Sequence, residues 1–286
     1  MSAAASLSED PVFAAARTLD NIRVDGGITA TLALRPDGPT GIATLAERGG
    51  YRLKFPRTHS SHAEAVIINT GGGVVGGDRI KLDFSIGQDA DATVTTQAAE
   101  RIYRSTGPFS QIDARLEVSR RARLIWAPQE TILFSGARLR RRFEIDVSST
   151  ARLLFVESMI FGRTASGEVM NRGALHDTWR IRRDGRLVFA ESNRLDDVSD
   201  NVLRRPAILG ASHALACILY VAPDAEARLA SVREVLDSDG TGAAASAWNG
   251  MLVVRFVTDA ARDMRRAMVR VMQELSSASM PRVWSS

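Results

Sequence analysis

The sequence predicts a mainly β protein: a large β-rich body of β-helical or stacked sheets, followed by a C-terminal β-α-β-α portion that contributes about two helices. Three observations carry this expectation. Short segments in which apolar and polar residues alternate with a period of two recur, with turn residues between them, as far as about residue 195. Over the same span no segment sets apolar residues at the three- and four-residue spacing of an amphipathic helix. After Arg205–Pro206 that helical spacing emerges twice. The strands share no fixed repeat length, so stacked and helical arrangements both stay open.

Taken in order, residues 1–20 are Ala- and Ser-rich and expected to be flexible. A single domain is expected over 21–286, with the β body at about 21–205 and the mixed tail at about 206–286. Residues 21–34 suggest strands broken at Gly26–Gly27, then a turn at 36–39 and another at Gly49–Gly50. Tyr51, Leu53 and Phe55 alternate with Arg52 and Lys54 as a strand does. Further strands follow at 112–118, where Ile112, Ala114, Leu116 and Val118 alternate with polar residues, and across 124–147, with Pro128 and Ser135–Gly136 as interruptions. Residues 178–192 read as a hairpin turning at Asp184–Gly185. In the tail, 207–221 reads as an apolar strand and 224–236 as a helix with Ala225, Leu229, Val232 and Leu236 on one side. A loop at 240–245, a strand at 252–257 and a helix capped by Asp259 and running to about Leu275 complete the tail.

Composition narrows the function classes. With 45% hydrophobic residues the chain has ample material for a core, yet no apolar run approaches the ~18 residues of a membrane span. The first residues lack the basic start and long apolar stretch of a signal peptide, and a lone cysteine, Cys217, leaves no internal disulfide. The cytoplasm is therefore the expected compartment. Net charge is only +4, and apart from Lys54 and Lys81 every base is arginine. The Arg-Arg pairs are not interleaved with aromatic residues, which argues against nucleic acid and for protein contacts.

The stretch at 65–106 organises the rest. An apolar run ending at Asn69 is followed by five glycines in seven positions, Gly71 to Gly73 and then Gly76 and Gly77, closed by Asp78. Ile80, Leu82, Phe84 and Ile86 then alternate with polar residues. A phosphate-binding loop would need a following helix, and a Walker loop also a Lys-Ser or Lys-Thr end; neither is present. Gly72, Gly73, Gly76 and Gly77 are read as the structural loop of a strand–loop–strand unit, supplying positive-φ turns and close approach.

Chemistry-bearing residues are sparse. His59 and His62 would meet at one metal only on a helical turn, and on a strand they face opposite sides. Glu130 and Glu157 each interrupt an apolar run, where a carboxylate costs free energy unless paired or wet. Salt bridges to arginine and a place along a polar path are the two readings open for them. His176 and His213 are isolated, Cys217 reads as a buried inert thiol, and no catalytic motif is found. The chain is therefore not expected to be an enzyme, although a small-molecule site in the β body and a purely structural scaffold remain alternatives.

The segments GGGVVGGD and TTQAAERIYRS resemble the core of the urease accessory protein UreD family, also called UreH. The likeness continues through Pro128, Gln129 and Glu130, through Phe161, Gly162, Arg163, Gly167 and Glu168, through the hairpin of 180–196, and through SAWNGMLVVRF and the terminal PRVW. It covers roughly residues 20–286 in the same order. It departs where many members carry a Cys-His pair before the glycine loop, since no cysteine stands there. The resemblance implies a β-helical, non-catalytic maturation factor. Such a factor binds apo-urease and the accessory protein UreF, and through it the GTPase UreG, so that nickel enters urease. It further implies an internal nickel passage, for which the candidate water-facing carboxylates are Asp78, Glu130, Glu157, Glu168 and Asp177. Nickel would be held transiently by oxygen ligands, with no tightly bound cofactor.

Overall fold

A computed structural model describes residues 23–36, 38–57, 62–163, 166–196, 198–238, 242–276 and 280–284. The segment expected to be flexible at 1–20, and His59, lie outside the described residues.

The chain starts with two antiparallel pairs, β1 (Asp25–Leu34) with β2 (Thr40–Arg48), and β3 (Tyr51–Lys54) with β4 (Ala63–Asn69). It then winds in coils. Strands β5 (Arg79–Ile86), β6 (Asp91–Thr96) and β7 (Glu100–Ile102) form one coil, and β8 (Ser110–Val118), β9 (Arg123–Ala127) and β10 (Thr131–Leu133) the next. In the third coil, β11 (Arg138–Val147) leads to β12 (Arg152–Phe161), whose last residues take the third position beside β10. Strand β13 (Ala174–Arg183) adds one more parallel strand, and β14 (Arg186–Leu195) turns back on it. One sheet thus runs β14-β13-β11-β8-β5-β1-β2, the other carries β12-β9-β6-β4-β3, and β7 and β10 make a short third face. This is the β-helical arrangement.

The coils differ in length, which is why the sequence shows no fixed period. Arg79, Gln111, Arg140 and His176 sit in register at successive steps of 32, 29 and 36 residues. What repeats is a column and not a spacing. Ile80, Ile112, Arg141 and Asp177 occupy one inward column, and Leu82, Ala114, Phe143 and Trp179 the next. The inward face of each parallel strand buries these columns, and stacked apolar rungs form the main core. Phe84 meets Trp126 edge to face at 5.7 Å across the two large sheets.

Several expectations need correction. The glycines at 26–27 do not break β1. A Cβ on Gly27 would lie 1.9 Å from the Lys81 carbonyl oxygen, so the glycine lets β1 press onto β5 instead. Gly27→Ala is expected to destabilise the fold by roughly 2 kcal/mol or more, read as a lower urea midpoint. Strand β2 was not expected; as an edge strand with a mostly exposed outer half, it lacks a clean apolar alternation. Glu130 lies between β9 and β10, not within a strand.

The tail carries one strand more than expected. The short helix α1 (Asp200–Leu203) and turns precede β15 (Ala214–Val221), so the apolar stretch from 207 is only partly strand. After α2 (Leu229–Asp237), strand β16 (Ala243–Trp248) takes residues 243–245 of the loop expected at 240–245 and pairs β17 (Met251–Thr258). These strands extend the second sheet beside β12 in the order β15, β17, β16. Helix α3 (Ala261–Leu275) buries Met264, Met268, Val271, Met272 and Leu275 against the outer side of that sheet, with Val232 and Leu236 of α2. Asp259 does not cap α3: Ala260 holds the cap position, without a side-chain acceptor for the first N–H groups. The expected hairpin turn is present, with Asp184 and Gly185 both at positive φ. Among the described residues no helix is long and apolar enough to cross a membrane.

Candidate functional site

The site grows from the glycine loop. With φ of 74° at Gly72 and 95° at Gly77, the loop takes a path that side chains would resist. A Cβ on Gly73 would meet the Tyr103 ring at 2.4 Å, and one on Gly76 the Ser105 hydroxyl at 2.0 Å. The loop therefore lies flat on 101–108, where Val74 exchanges backbone hydrogen bonds with Arg101 and Tyr103. Val74, Ile102, Leu133 and Phe161 then form a fully buried column on the third face. Asp78 closes the loop: its two oxygens accept the backbone N–H groups of Val24 and Val75, each at 2.9 Å.

Beside that column runs a second, more polar one: Glu100, Thr131 and Met159 in register, all on the inward side. Glu100 accepts hydrogen bonds from Asn69 Nδ2 at 3.0 Å and from Tyr51 Oη at 3.3 Å. Burial pushes the Glu100 carboxyl up to about 7, assisted by the nearby Asp78 charge and opposed by its hydrogen bonds. Burial likewise raises the Tyr51 hydroxyl far above its ordinary value.

One strand spacing further, Thr131 Oγ1 accepts from Arg141 at 3.3 Å. Arg141 is the centre of a buried cluster. Its guanidinium binds Glu157 at 2.6 Å and holds Asp177 with two nitrogens at 2.8 and 3.1 Å. Trp126 Nε1 donates to Glu157 at 2.9 Å and Trp179 Nε1 to Asp177 at 3.1 Å. Arg141 and Glu157 are each 4% exposed and Asp177 is 0% exposed, so one cation and two carboxylates share an interior closed to the surface. Burial raises the Glu157 carboxyl, against the pull of Arg141; burial alone would lower Arg141, but Asp177 and Glu157 outweigh it and raise the guanidinium above its ordinary value. Cys217, opposite Glu157 in register, is buried and its thiol is pushed up to about 12.

The five carboxylates expected to face water therefore do not form one open path. Asp78, Glu157 and Asp177 are buried, and only Glu157 and Asp177 converge, through Arg141. Glu130 pairs Arg265 of α3 at 2.9 Å, and the same arginine binds Gln129 and the Val283 carbonyl and stacks over Trp284 at 4.5 Å. The Pro-Gln-Glu and PRVW segments thus meet and fasten the tail to the body. Glu168 bonds Arg163 and accepts the Ser135 N–H, and the Arg163 bond holds its carboxyl below the usual range. His62 uses both ring nitrogens, with Asp91 at 2.8 Å and Thr93 at 2.7 Å. Burial disfavours ionised Asp91, yet His62 and Arg123 hold its carboxyl down at about 2. Among the described residues no three His, Cys, Asp or Glu side chains converge as a metal cage.

Residues 25–285 match the family model described as UreD urease accessory protein. The chain belongs to the UreD family. It is 45% identical over 277 residues to "Urease accessory protein UreD" of Xanthobacter autotrophicus, covering 97% of this chain and 96% of that one. It is 48% identical over 268 residues to "Urease accessory protein UreD 1" of Methylobacterium radiotolerans (92% and 93%), and 42% over 269 residues to the UreD of a Methylobacterium species (92% and 95%). These relatives are named as accessory proteins and not as enzymes, and membership gives this UreD chain a non-enzymatic role in urease maturation.

Sequence reasoning missed Tyr51, Asn69, Glu100, Trp126, Arg141 and Trp179. Arg141 and Asp177 carried a usable signal, because each stands on the inward parity of its strand. In 139–147 the inward set is Leu139, Arg141, Phe143, Ile145 and Val147, and in 175–181 it is Leu175, Asp177, Trp179 and Ile181. Glu100 lay inside a motif singled out for its resemblance, without any parity to read, since β7 is three residues long.

Proposed function

We propose that this UreD chain is a urease maturation factor that binds apo-urease and UreF, and through UreF the GTPase UreG, so that nickel enters the urease active site. The observation that carries the reading is the family match across nearly the whole chain. Nickel is cargo here, held transiently, and no tightly bound cofactor is required. The interior supplies oxygen donors along one line, from Glu100 through Thr131 to Glu157 and Asp177, a set suited to a hard or borderline divalent ion in transit. Asp78, Glu130 and Glu168 are the further candidate carboxylates of this reading, each held by its own partner. Passage past the buried cluster requires Arg141 to release one carboxylate as the ion arrives.

A second reading has one specific observation in its favour: each of the five carboxylates already has a protein partner. On that reading the chain is a scaffold that assembles partners and touches no metal. Co-expression with the cognate urease and accessory proteins, with one culture lacking this chain, separates both from error. Urease nickel content is expected to collapse in that culture, and unchanged loading overturns the maturation reading. Glu157→Gln and Asp177→Asn, introduced together, are then expected to lower loading if the interior carries nickel and to leave it intact if the chain is a scaffold.

A further inference from the structure

The outer surface of the third face carries two adjoining depressions rich in arginine. One groove, of about 880 Å³, is floored by Ile132, Ile160, Tyr103 and Phe134, and bordered by Arg101, Arg163 and Arg262. Among the described residues no carboxylate lines it. It adjoins a second depression of about 470 Å³ along the chain, since Tyr103 lines one and Arg104 the other, and Phe134 one and Gly136 the other. There Arg104 and Arg172 line the wall, with no acid among the described residues. Two other depressions hold both signs of charge. The depression at Arg123, Arg152 and Arg228 holds Asp224 and Glu274, and the one on the outer face of the first sheet sets four bases among four acids.

The groove's apolar floor is built by register. Arg101, Ile132 and Ile160 are outward neighbours on β7, β10 and β12, the reverse side of the Glu100–Thr131–Met159 column. Tyr103 and Phe134 stack edge to face at 5.0 Å, and Arg163 lies 4.8 Å over Phe134. Among the described residues Arg101 and Arg262 have no acidic partner. The start of α3 borders the same groove through Ala260, Ala261 and Arg262, and its first N–H groups have no side-chain cap. Positive borders around an apolar floor call for a segment with the opposite charge around an apolar anchor.

We propose that this groove docks an amphipathic, acidic segment of a protein partner, with one or two large apolar side chains on the floor and carboxylates against Arg101, Arg262 and the Arg104–Arg172 depression. The proposal rests on the reading that the chain works within a urease maturation assembly. Its test uses the full chain with its cognate urease and accessory proteins. A photo-crosslinking amino acid at Ile132 or at the exposed Ser166 is expected to capture a peptide of one component, in which a large apolar residue stands within one helical turn of carboxylates. Arg101→Glu with Arg262→Glu is expected to weaken association with that component on the order of tenfold, increasingly so at low salt. If that pair perturbs folding, seen as a lowered melting temperature, Arg101→Gln with Arg262→Gln repeats the test with a smaller effect in the same direction. Capture of no component, of nucleic acid, of a second copy of this chain, or of a segment without acids overturns the proposal, as does unchanged affinity in both variants. The culture lacking the whole chain reads the maturation role separately: if it loses nickel loading while the groove variants keep affinity and loading, only the groove proposal fails.

Discussion

Arg141→Met is expected to destabilise this protein by about 3–5 kcal/mol, close to the limit a domain of ordinary stability tolerates. The substitution keeps the apolar stem but leaves Glu157 and Asp177 buried with no cation between them. Neither can turn to water, because Trp126 and Trp179 pin one oxygen of each within the aromatic core. The deficit should grow with pH, since a raised carboxyl pKa makes ionisation in the fold costly above the unfolded value and harmless below it. Chemical denaturation at pH 5 and pH 8 reads both the size and the slope. Adding Glu157→Gln and Asp177→Asn to Arg141→Met removes the charge while keeping acceptors for both indoles, and most of the loss should return. Failure of that rescue would mean that Arg141 acts by packing on Phe143, over which its guanidinium lies at 5.1 Å, and not by charge.

The same rescue connects stability to function. A triple variant that folds but no longer supports nickel loading assigns the carboxylates a part in transfer, and one that folds and loads assigns the cluster to the fold alone. A buried ion pair is weak evidence for stability by itself, since apolar residues of similar volume often do as well. The interior here could have continued its apolar columns through Ile80, Ile112, and on to β11 and β13. It switches to arginine and aspartate in one column only.

How much of this was legible in the sequence depends on which physical signal each element carried. Strands β5, β8 and β13 were readable because one face of each is buried and the other wet, so alternation survives, and the exposed β14 was readable from the Asp184–Gly185 turn. Strand β12 is buried on both faces, between the solenoid core and the tail, and its carboxylate gave the only mark in an unbroken apolar run. The coil itself was not readable as a period, because turns of unequal length absorb the differences between rungs while the register stays fixed. The partners of each acid were hidden for another reason. Arg141 lies sixteen residues before Glu157 and thirty-six before Asp177; the parallel register of β11 and β13 makes Asp177 its neighbour, and the facing of the two sheets brings in Glu157 from β12. Arg265 reaches Glu130 from 135 residues away, across the junction of tail and body, which no local pattern could announce.

Glu100→Gln is expected to stabilise the protein at pH 8 and to change little at pH 4. The carboxyl lies in the inward column under the glycine loop, and burial raises it to about 7 in the fold. Below the ordinary carboxylate value both folded and unfolded chains hold the proton, and the stability tied to it is fully present. As pH rises through that value the unfolded chain loses its proton while the folded chain retains it, so stability falls until about pH 7 is passed. A shift of this size corresponds to roughly 3 kcal/mol between the two limits. Glutamine is neutral throughout, so it removes the slope while its amide keeps an oxygen for Asn69 Nδ2. Melting temperatures of both proteins across pH 4 to 8 should therefore diverge with pH, and parallel curves would mean that the carboxyl is already hydrated in solution. The same proton bears on the proposed passage. A group that titrates near neutrality beneath the loop holds a divalent ion only after losing its proton, so nickel uptake by the intact assembly should release a proton and weaken as pH falls below about 7. Glu100→Gln should flatten that dependence, and a pH profile of loading that is unmoved by the substitution would leave Glu100 with a role in folding only.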